Sequence, residues 1–97
     1  MGELKSVREK DWALYLEIWN KRPHIDFETC EPILGEPLTL YFHHVLLKSK
    51  YPQYRHKSWN IVLVNWNSHA QADQGKAPKI EAYRKELLQR IENKEIF

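Results

Sequence analysis

The sequence contains a single cysteine, Cys30, among 97 residues. One cysteine excludes an intramolecular disulfide and a zinc site built from four cysteines of one chain. Stability therefore has to come from packing, and a hydrophobic fraction of 42%, with four Trp, five Tyr and three Phe, is enough for a core. A chain of this length fits one domain, residues 1–97, with any active site near its surface.

The sequence also lacks long apolar runs and a large excess of charge of one sign. No stretch of about 18 consecutive apolar residues is present, so we expect no membrane-spanning segment and no membrane partner. The opening MGELKSVREK lacks the apolar stretch of a secretory signal peptide, and a cytoplasmic protein is the default expectation. Because the net charge is only +2, attraction for a polyanion has to come from local clustering.

Positive charge is clustered in residues 48–57, which contain four Lys or Arg residues, one His and no acidic residue. Such a segment can bind phosphate groups, and a solvated basic loop without a ligand is the alternative. Arg55 is the candidate for holding a phosphate, because a guanidinium grips two oxygens at once, with Lys48 or Lys50 in support.

Hydrophobic periodicity predicts an α+β fold that begins with an amphipathic helix over residues 8–21, ended by Pro23. Residues 24–38 are predicted to form a loop or a short hairpin. The segments 38–47 and 61–64 are rich in β-branched, aromatic and aliphatic residues and are predicted strands. The apolar stripe of the helix consists of Trp12, Tyr15, Leu16, Ile18 and Trp19.

Two more helices are predicted after the second strand. A helix of about two turns begins near His69, with Ser68 and Gln71 at capping-box spacing and Gly75 at its end. Pro78 suits the first turn of a final amphipathic helix, which either packs on the core or presents part of its apolar face to a partner. The apolar residues of this helix are Ile80, Tyr83, Leu87, Leu88 and Ile91.

Three histidines and an asparagine occur in a suggestive order. His43 and His44 are adjacent on the first predicted strand, Asn60 follows the basic segment, and His69 opens the short helix. In this order and spacing the chain resembles the HNH endonucleases, which have a ββα-metal or His-Me finger core. HHVLLKSKYP followed by NIVLV is similar to small bacteriophage-type members, and the resemblance covers about residues 30–75.

The resemblance implies a ββα-metal core flanked by N-terminal and C-terminal helices. The implied activity is metal-dependent hydrolysis of DNA phosphodiester bonds. The implied location is a bacterial host cell, where the protein is encoded by a phage or by the host. Successive strand residues diverge, so His43 and His44 suit separate roles. The family pattern makes His43 a metal ligand, His44 the general base and His69 a second ligand. It makes Asn60 the residue that pins the loop and helps to orient the base.

Asp73 lies four residues after His69, on the same face of the predicted helix, and is a further candidate ligand. The alternative is that Asp73 is an ordinary exposed carboxylate on the helix and binds no metal. Imidazole and carboxylate donors suit several divalent ions, and we expect one Mg²⁺ or Mn²⁺, with Ni²⁺ or Zn²⁺ as alternatives. Cutting both DNA strands would require a homodimer or two successive events.

The chain departs from a common HNH pattern, in which two cysteine pairs hold a structural zinc. The positions of the later pair are Asn65 and Ser68, and only Cys30 remains near the first pair. We expect aromatic packing to replace this zinc. The candidate aromatic residues are Trp12, Trp19, Trp59 and Trp66, and Tyr51 or Tyr54 could contact nucleic acid.

Two other functions compete with the nuclease. One is a nucleic-acid-binding module of the same fold without turnover. The other is a structural zinc domain in which Cys30, His43 and His69 hold the fold together. The two remaining histidines, His24 and His56, are expected to be ordinary hydrogen-bonded residues.

Overall fold

The computed structural model describes residues 6–96, which form an α+β domain of three helices and a two-stranded antiparallel sheet. The α+β fold expected from periodicity is confirmed. The helices are α1 (Val7–Lys21), α2 (Trp66–Asp73) and α3 (Pro78–Glu92), and the strands are β1 (Phe42–His44) and β2 (Ile61–Leu63).

The sheet is short. Strands β1 and β2 have three residues each, with His43 opposite Val62. The predicted strands, 38–47 and 61–64, are correct in position but too long. On the N-terminal side of β1 the chain forms a 3-10 turn, Thr39–Tyr41, in place of an extended strand.

A side chain ends the sheet on the other side of β1. The amide of Val45 still bonds the carbonyl of Asn60, at 2.8 Å. At the next residue, the Asn60 side chain accepts from the Leu46 amide at 2.7 Å and donates to the Leu46 carbonyl at 3.1 Å. Because the Asn60 side chain takes both main-chain groups of Leu46, no further strand partner is needed there.

Helix α1 covers one face of the sheet. Its N-terminus is capped by Ser6, and its aromatic residue Tyr15 stacks on Phe42 of β1 at a ring distance of 4.4 Å. Trp12 was predicted to lie on the apolar stripe of this helix, but its side chain is 38% exposed. Asp11 faces inward instead, because Arg55 and His56 bind its carboxylate. The buried hydrophobic residues of α1 are Tyr15, Ile18 and Trp19.

Helix α2 begins earlier than its predicted start near His69. Asn65 is the N-cap and accepts a hydrogen bond from the amide of Ser68, so the expected capping box of Ser68 and Gln71 is wrong. Ser68 lies inside the helix and is buried. Gly75 follows the helix with a φ of +71°, as its predicted role at the helix end requires.

Helix α3 packs on the opposite face of the sheet from α1, through Ile80 and Leu87, which are fully buried. Its first amides are capped from a distant turn, since Glu28 accepts from the amides of Lys79 and Ile80 at 2.9 and 3.1 Å. The helix therefore belongs to the core, with Leu88 left 37% exposed.

The tryptophans that were expected to pack in the core are buried to different degrees. Trp19 is buried and Trp59 packs at the edge of the core, whereas Trp66 is 70% exposed. Trp66 faces solvent because it opens α2 while the inward face of this helix is taken by Ser68 and Ala72. No helix in the described part of the chain is long and apolar enough to cross a membrane.

Replacing Leu87 by Ala tests the packing of α3. We expect a loss of about 2–5 kcal/mol in the free energy of unfolding, because the side chain is fully buried and its removal leaves a cavity. Leu88→Ala, on the neighbouring exposed position, should cost less than about 1 kcal/mol. Urea denaturation of both variants measures the difference, and equal losses would contradict this docking of α3.

Candidate metal centre

Strand β1 sends its two histidines to opposite faces of the sheet. His43 points toward α2, where its ring lies 5.2 Å from the ring of His69. His44 points toward α1, where its ring meets Tyr15 edge-on at 6.1 Å. The alternation of a strand therefore separates the two imidazoles, and only His43 shares a face with the ligands of α2.

His43, His69 and Asp73 form a group that can hold a metal ion, with one ligand atom from each residue and no two of these atoms more than 4.8 Å apart. Nitrogen and oxygen ligands bind a divalent ion at about 2.0–2.2 Å, so two ligands of one ion lie at most about 4.4 Å apart, slightly less than the upper limit of the separations in this group. Among residues 6–96 this is the one group of three or more such ligands. The structure thus brings together all three predicted ligands.

The environment of His43 favours metal binding. The residue is 4% exposed, and its Nε2 is the one buried side-chain nitrogen or oxygen among the described residues without a hydrogen-bond partner. An orphaned buried polar atom in a native fold commonly marks an ion or water site. Burial, with a smaller contribution from His69, lowers the pKa of His43 to about 4. The ring is therefore neutral at pH 7 and can donate a lone pair.

The orientation of His69 is set by the turn before β1. Its Nδ1 donates to the carbonyl of Leu40, and because a carbonyl only accepts, Nε2 keeps the lone pair. This Nε2 lies 3.9 Å from Oδ1 of Asp73, one helical turn later. Asp73 is largely exposed, so its carboxylate remains hydrated until a ligand arrives.

His44 is held by a carbonyl of the basic loop. Its Nε2 lies 2.8 Å from the main-chain oxygen of Arg55, so Nε2 carries the proton and Nδ1 is left as the basic nitrogen. Burial and then the positive charge of Lys48 lower the pKa of His44, against the opposing effect of the Arg55 carbonyl. His44 and His69 line the same cleft, of about 490 Å³, together with Lys48.

Asn60 connects the loop to the strand that carries both histidines. Besides its two bonds to Leu46, its Nδ2 donates to the carbonyl of Tyr54 at 3.2 Å. Tyr54 precedes Arg55, the residue that holds His44 through its carbonyl. Asn60 thus fixes the loop one residue away from the carbonyl that orients His44.

The predicted phosphate-binding residues differ in their surroundings. The Arg55 guanidinium is bound by both carboxylate oxygens of Asp11, at 3.0 and 2.6 Å, and this ion pair would compete with a phosphate. Lys48 lines the cleft of His44, and Lys50 lines a second cavity together with His43. The contact of Arg55 with the candidate site is made by its main chain.

Cys30 is not part of the metal group. It is exposed, its sulfur lies 3.9 Å from Nζ of Lys79, and it borders a separate cavity beneath Phe27 and Tyr83. The group of possible ligands among residues 6–96 does not include Cys30, so a zinc site made of Cys30, His43 and His69 is not formed. Tyr51 and Tyr54, considered as nucleic-acid contacts, pack partly against the core.

Two buried carboxylates near this site were not predicted from the sequence. Asp11 binds Arg55 and His56 from α1, and Asp26 binds the N-terminus of α2. Asp11 follows three charged residues of α1, Arg8, Glu9 and Lys10, and no sequence pattern indicates that it is buried. Asp26 carries a weak local signal, since an Asp in a loop commonly accepts from the amide two residues later, as it does here from Glu28 in an Asx turn.

Arg84 was also missed. It lines the same cavity as His43 and Asp73, donates to the carbonyl of Val45 at 2.8 Å, and pairs with Glu81. No sequence pattern distinguishes it from the other charged residues of α3.

Comparison of the chain with protein-family models, with curated proteins and with solved structures finds no match.

The contribution of the Asp11 carboxylate to the free energy of unfolding should decrease in acid. The hydrogen bond from Arg55, opposed by burial, lowers the pKa of Asp11 below its ordinary value of 3.8. A carboxylate with a lowered pKa stabilises the fold above its unfolded pKa and loses that effect as the pH falls through the folded value. The gap in unfolding free energy between the original protein and Asp11→Asn should therefore narrow from about pH 5 to about pH 2. Denaturant titrations across this range measure it, and a constant gap would contradict the assignment.

Proposed function

We propose that the chain is a metal-dependent endonuclease of the HNH type, in which β1, β2 and α2 form the ββα-metal core. The observation that carries this proposal is that the two adjacent histidines of β1 have different surroundings. His43 joins His69 and Asp73 in one ligand group, while His44 lies outside that group with one ring nitrogen left as a base. Chelation and proton transfer would then be performed by different imidazoles.

The three ligands suit a divalent ion. Two imidazoles and one carboxylate favour Mn²⁺, Ni²⁺ or Zn²⁺ over Mg²⁺, which prefers oxygen ligands. The orphaned Nε2 of buried His43 supports a site that is completed by an ion. When bound, a divalent ion offsets the negative charge that develops on the phosphate and on the departing oxygen.

His44 is the proposed general base. Its Nδ1 takes a proton from water as the water oxygen bonds to phosphorus and the bond from phosphorus to the 3′ oxygen breaks. The Arg55 carbonyl holds the ring by Nε2, which keeps the lone pair on Nδ1. Asn60 is the proposed support, because it anchors the adjacent carbonyl of Tyr54.

Basic residues on both sides of the ligand group suggest the path of the substrate. Lys48 lines the cleft that His44 and His69 share, and Lys50 and Arg84 line the cavity beside His43. A nucleic-acid backbone that crosses α2 would meet positive charge before and after the metal centre. The HNH resemblance favours DNA, cut either one strand at a time or by a homodimer.

A plasmid-cutting assay tests the enzyme. With supercoiled DNA and Mg²⁺, Mn²⁺ or Ni²⁺, we expect nicking or linearisation by the unaltered protein. His44→Ala should reduce the rate by about 10²- to 10⁴-fold, because it removes the base while the metal ligands remain. His43→Ala should lose both cutting and metal binding, measured by calorimetric titration with Mn²⁺.

His24→Gln is the matched control. This histidine donates to the carbonyl of Trp19 away from the ligand group, and Gln can do the same, so cutting should be unchanged. No cutting with any ion, with DNA binding retained, would favour the silent binding module. If chelation abolished the cooperative melting transition along with cutting, a structural metal would be indicated.

Lys48→Ala tests the DNA contact beside His44. In a His44→Ala background, which separates binding from cutting, we expect weaker DNA binding and a salt dependence reduced by about one phosphate contact. Lys85→Ala on α3 is the control, because this exposed lysine lines none of these cavities. Fluorescence anisotropy with a labelled duplex at several salt concentrations measures both variants, and equal effects would remove Lys48 from the proposed path.

A further inference from the structure

Asp26 is the most densely bonded buried charge near the candidate metal centre. The residue is fully buried. Its Oδ1 accepts from the amides of Glu28 and Thr29 at 2.9 and 2.7 Å, and from the hydroxyls of Thr29 and Ser68, both at 3.0 Å. Its Oδ2 accepts from the amide of Asn65 at 2.6 Å. Five donors thus converge on one carboxylate.

Two of these donors belong to the helix that supplies two metal ligands. Asn65 is the N-cap of α2, and Ser68 immediately precedes His69. With eight residues, α2 is too short to be stable by helix propensity alone. The carboxylate also lies at the positive end of the helix dipole. Asp26 therefore acts on both the formation and the position of the helix that carries His69 and Asp73.

The turn of residues 26–30 is itself anchored to the sheet and to α3. The amide of Phe27 donates to the carbonyl of Leu63 in β2 at 2.8 Å. Glu28 accepts from the first amides of α3. Because β2 pairs with β1, the turn links α2 to the strand that presents His43.

We propose that Asp26 is a positioning residue of the metal centre, which holds α2 so that His69 and Asp73 meet His43. The proposal rests on the proposed function only in that it takes this ligand group as a working site. Asn65 and Ser68 are the positions at which the HNH pattern has its later cysteine pair. In this structure a buried carboxylate binds both positions.

Asp26→Asn tests this role, because the amide keeps the size of the side chain but removes the charge and replaces one of the two accepting oxygens by an NH2 group, which then faces a donor. Titration with Co²⁺ reports affinity and, through its visible spectrum, ligand geometry. At a temperature where circular dichroism shows the variant folded, we expect Co²⁺ binding weakened about tenfold or more and a changed spectrum. Ser68→Ala, which removes one of the five bonds, should weaken binding in the same direction by less.

Two controls separate positioning from general stability. Leu87→Ala lowers stability through the core alone and should bind Co²⁺ with the original affinity and spectrum. Glu31→Gln removes an exposed negative charge just after the 26–30 turn and should also leave both unchanged.

The outcomes distinguish this proposal from the nuclease itself. An Asp26→Asn protein that is folded and binds Co²⁺ as the original does would overturn the positioning role, even if the original protein cuts DNA. If Asp26→Asn does not fold, Ser68→Ala decides, and unchanged binding and spectrum in that variant would overturn the role. Failure of the original protein to bind Co²⁺ would overturn the metal centre and this role with it.

Discussion

The hydrogen bonds that converge on the Asp26 carboxylate are the interaction on which the arrangement of this domain depends most. Burial by itself would raise the pKa of Asp26, but main-chain amides of Asn65 and Thr29 and hydroxyls of Ser68 and Thr29 outweigh it and keep the carboxyl ionised. A buried charge is tolerated only when it is fully hydrogen-bonded, so breaking the set is costly. The sheet has only three residue pairs. Hydrogen bonds to buried side chains therefore hold together segments that main-chain hydrogen bonds would join in a larger sheet.

Two further buried polar groups do the same for the other half of the site. Asn60 binds the main chain of Leu46 and Tyr54, and Asp11 binds Arg55 and His56. Both act on the loop whose Arg55 carbonyl holds His44. Asp26 acts on the side of β1 that faces the His43, His69 and Asp73 group, while Asn60 and Asp11 act on the side of His44. In this small domain, buried hydrogen bonds fix the positions of segments that a two-stranded sheet does not join.

The sequence predicted the helices and strands well where a periodic pattern or a special backbone residue was present. Pro78 and Gly75 marked helix ends correctly, since their backbone preferences are local. The lengths of the strands, the inward turn of Asp11 and the exposure of Trp12 and Trp66 were missed, because each is decided by a partner distant in the chain. Asn60 ends the sheet through a side chain, which no strand propensity can predict.

The sequence by itself determined which residues can do chemistry. Alternation along a strand separates His43 from His44, and a spacing of four residues brings Asp73 to the face of His69, because both follow from regular backbone geometry. Only the tertiary structure decided that His43 and α2 meet, that Cys30 stays apart from them, and that Asp11 binds the guanidinium of Arg55. These are contacts between segments tens of residues apart, and burial and hydrogen bonding across the whole fold select them.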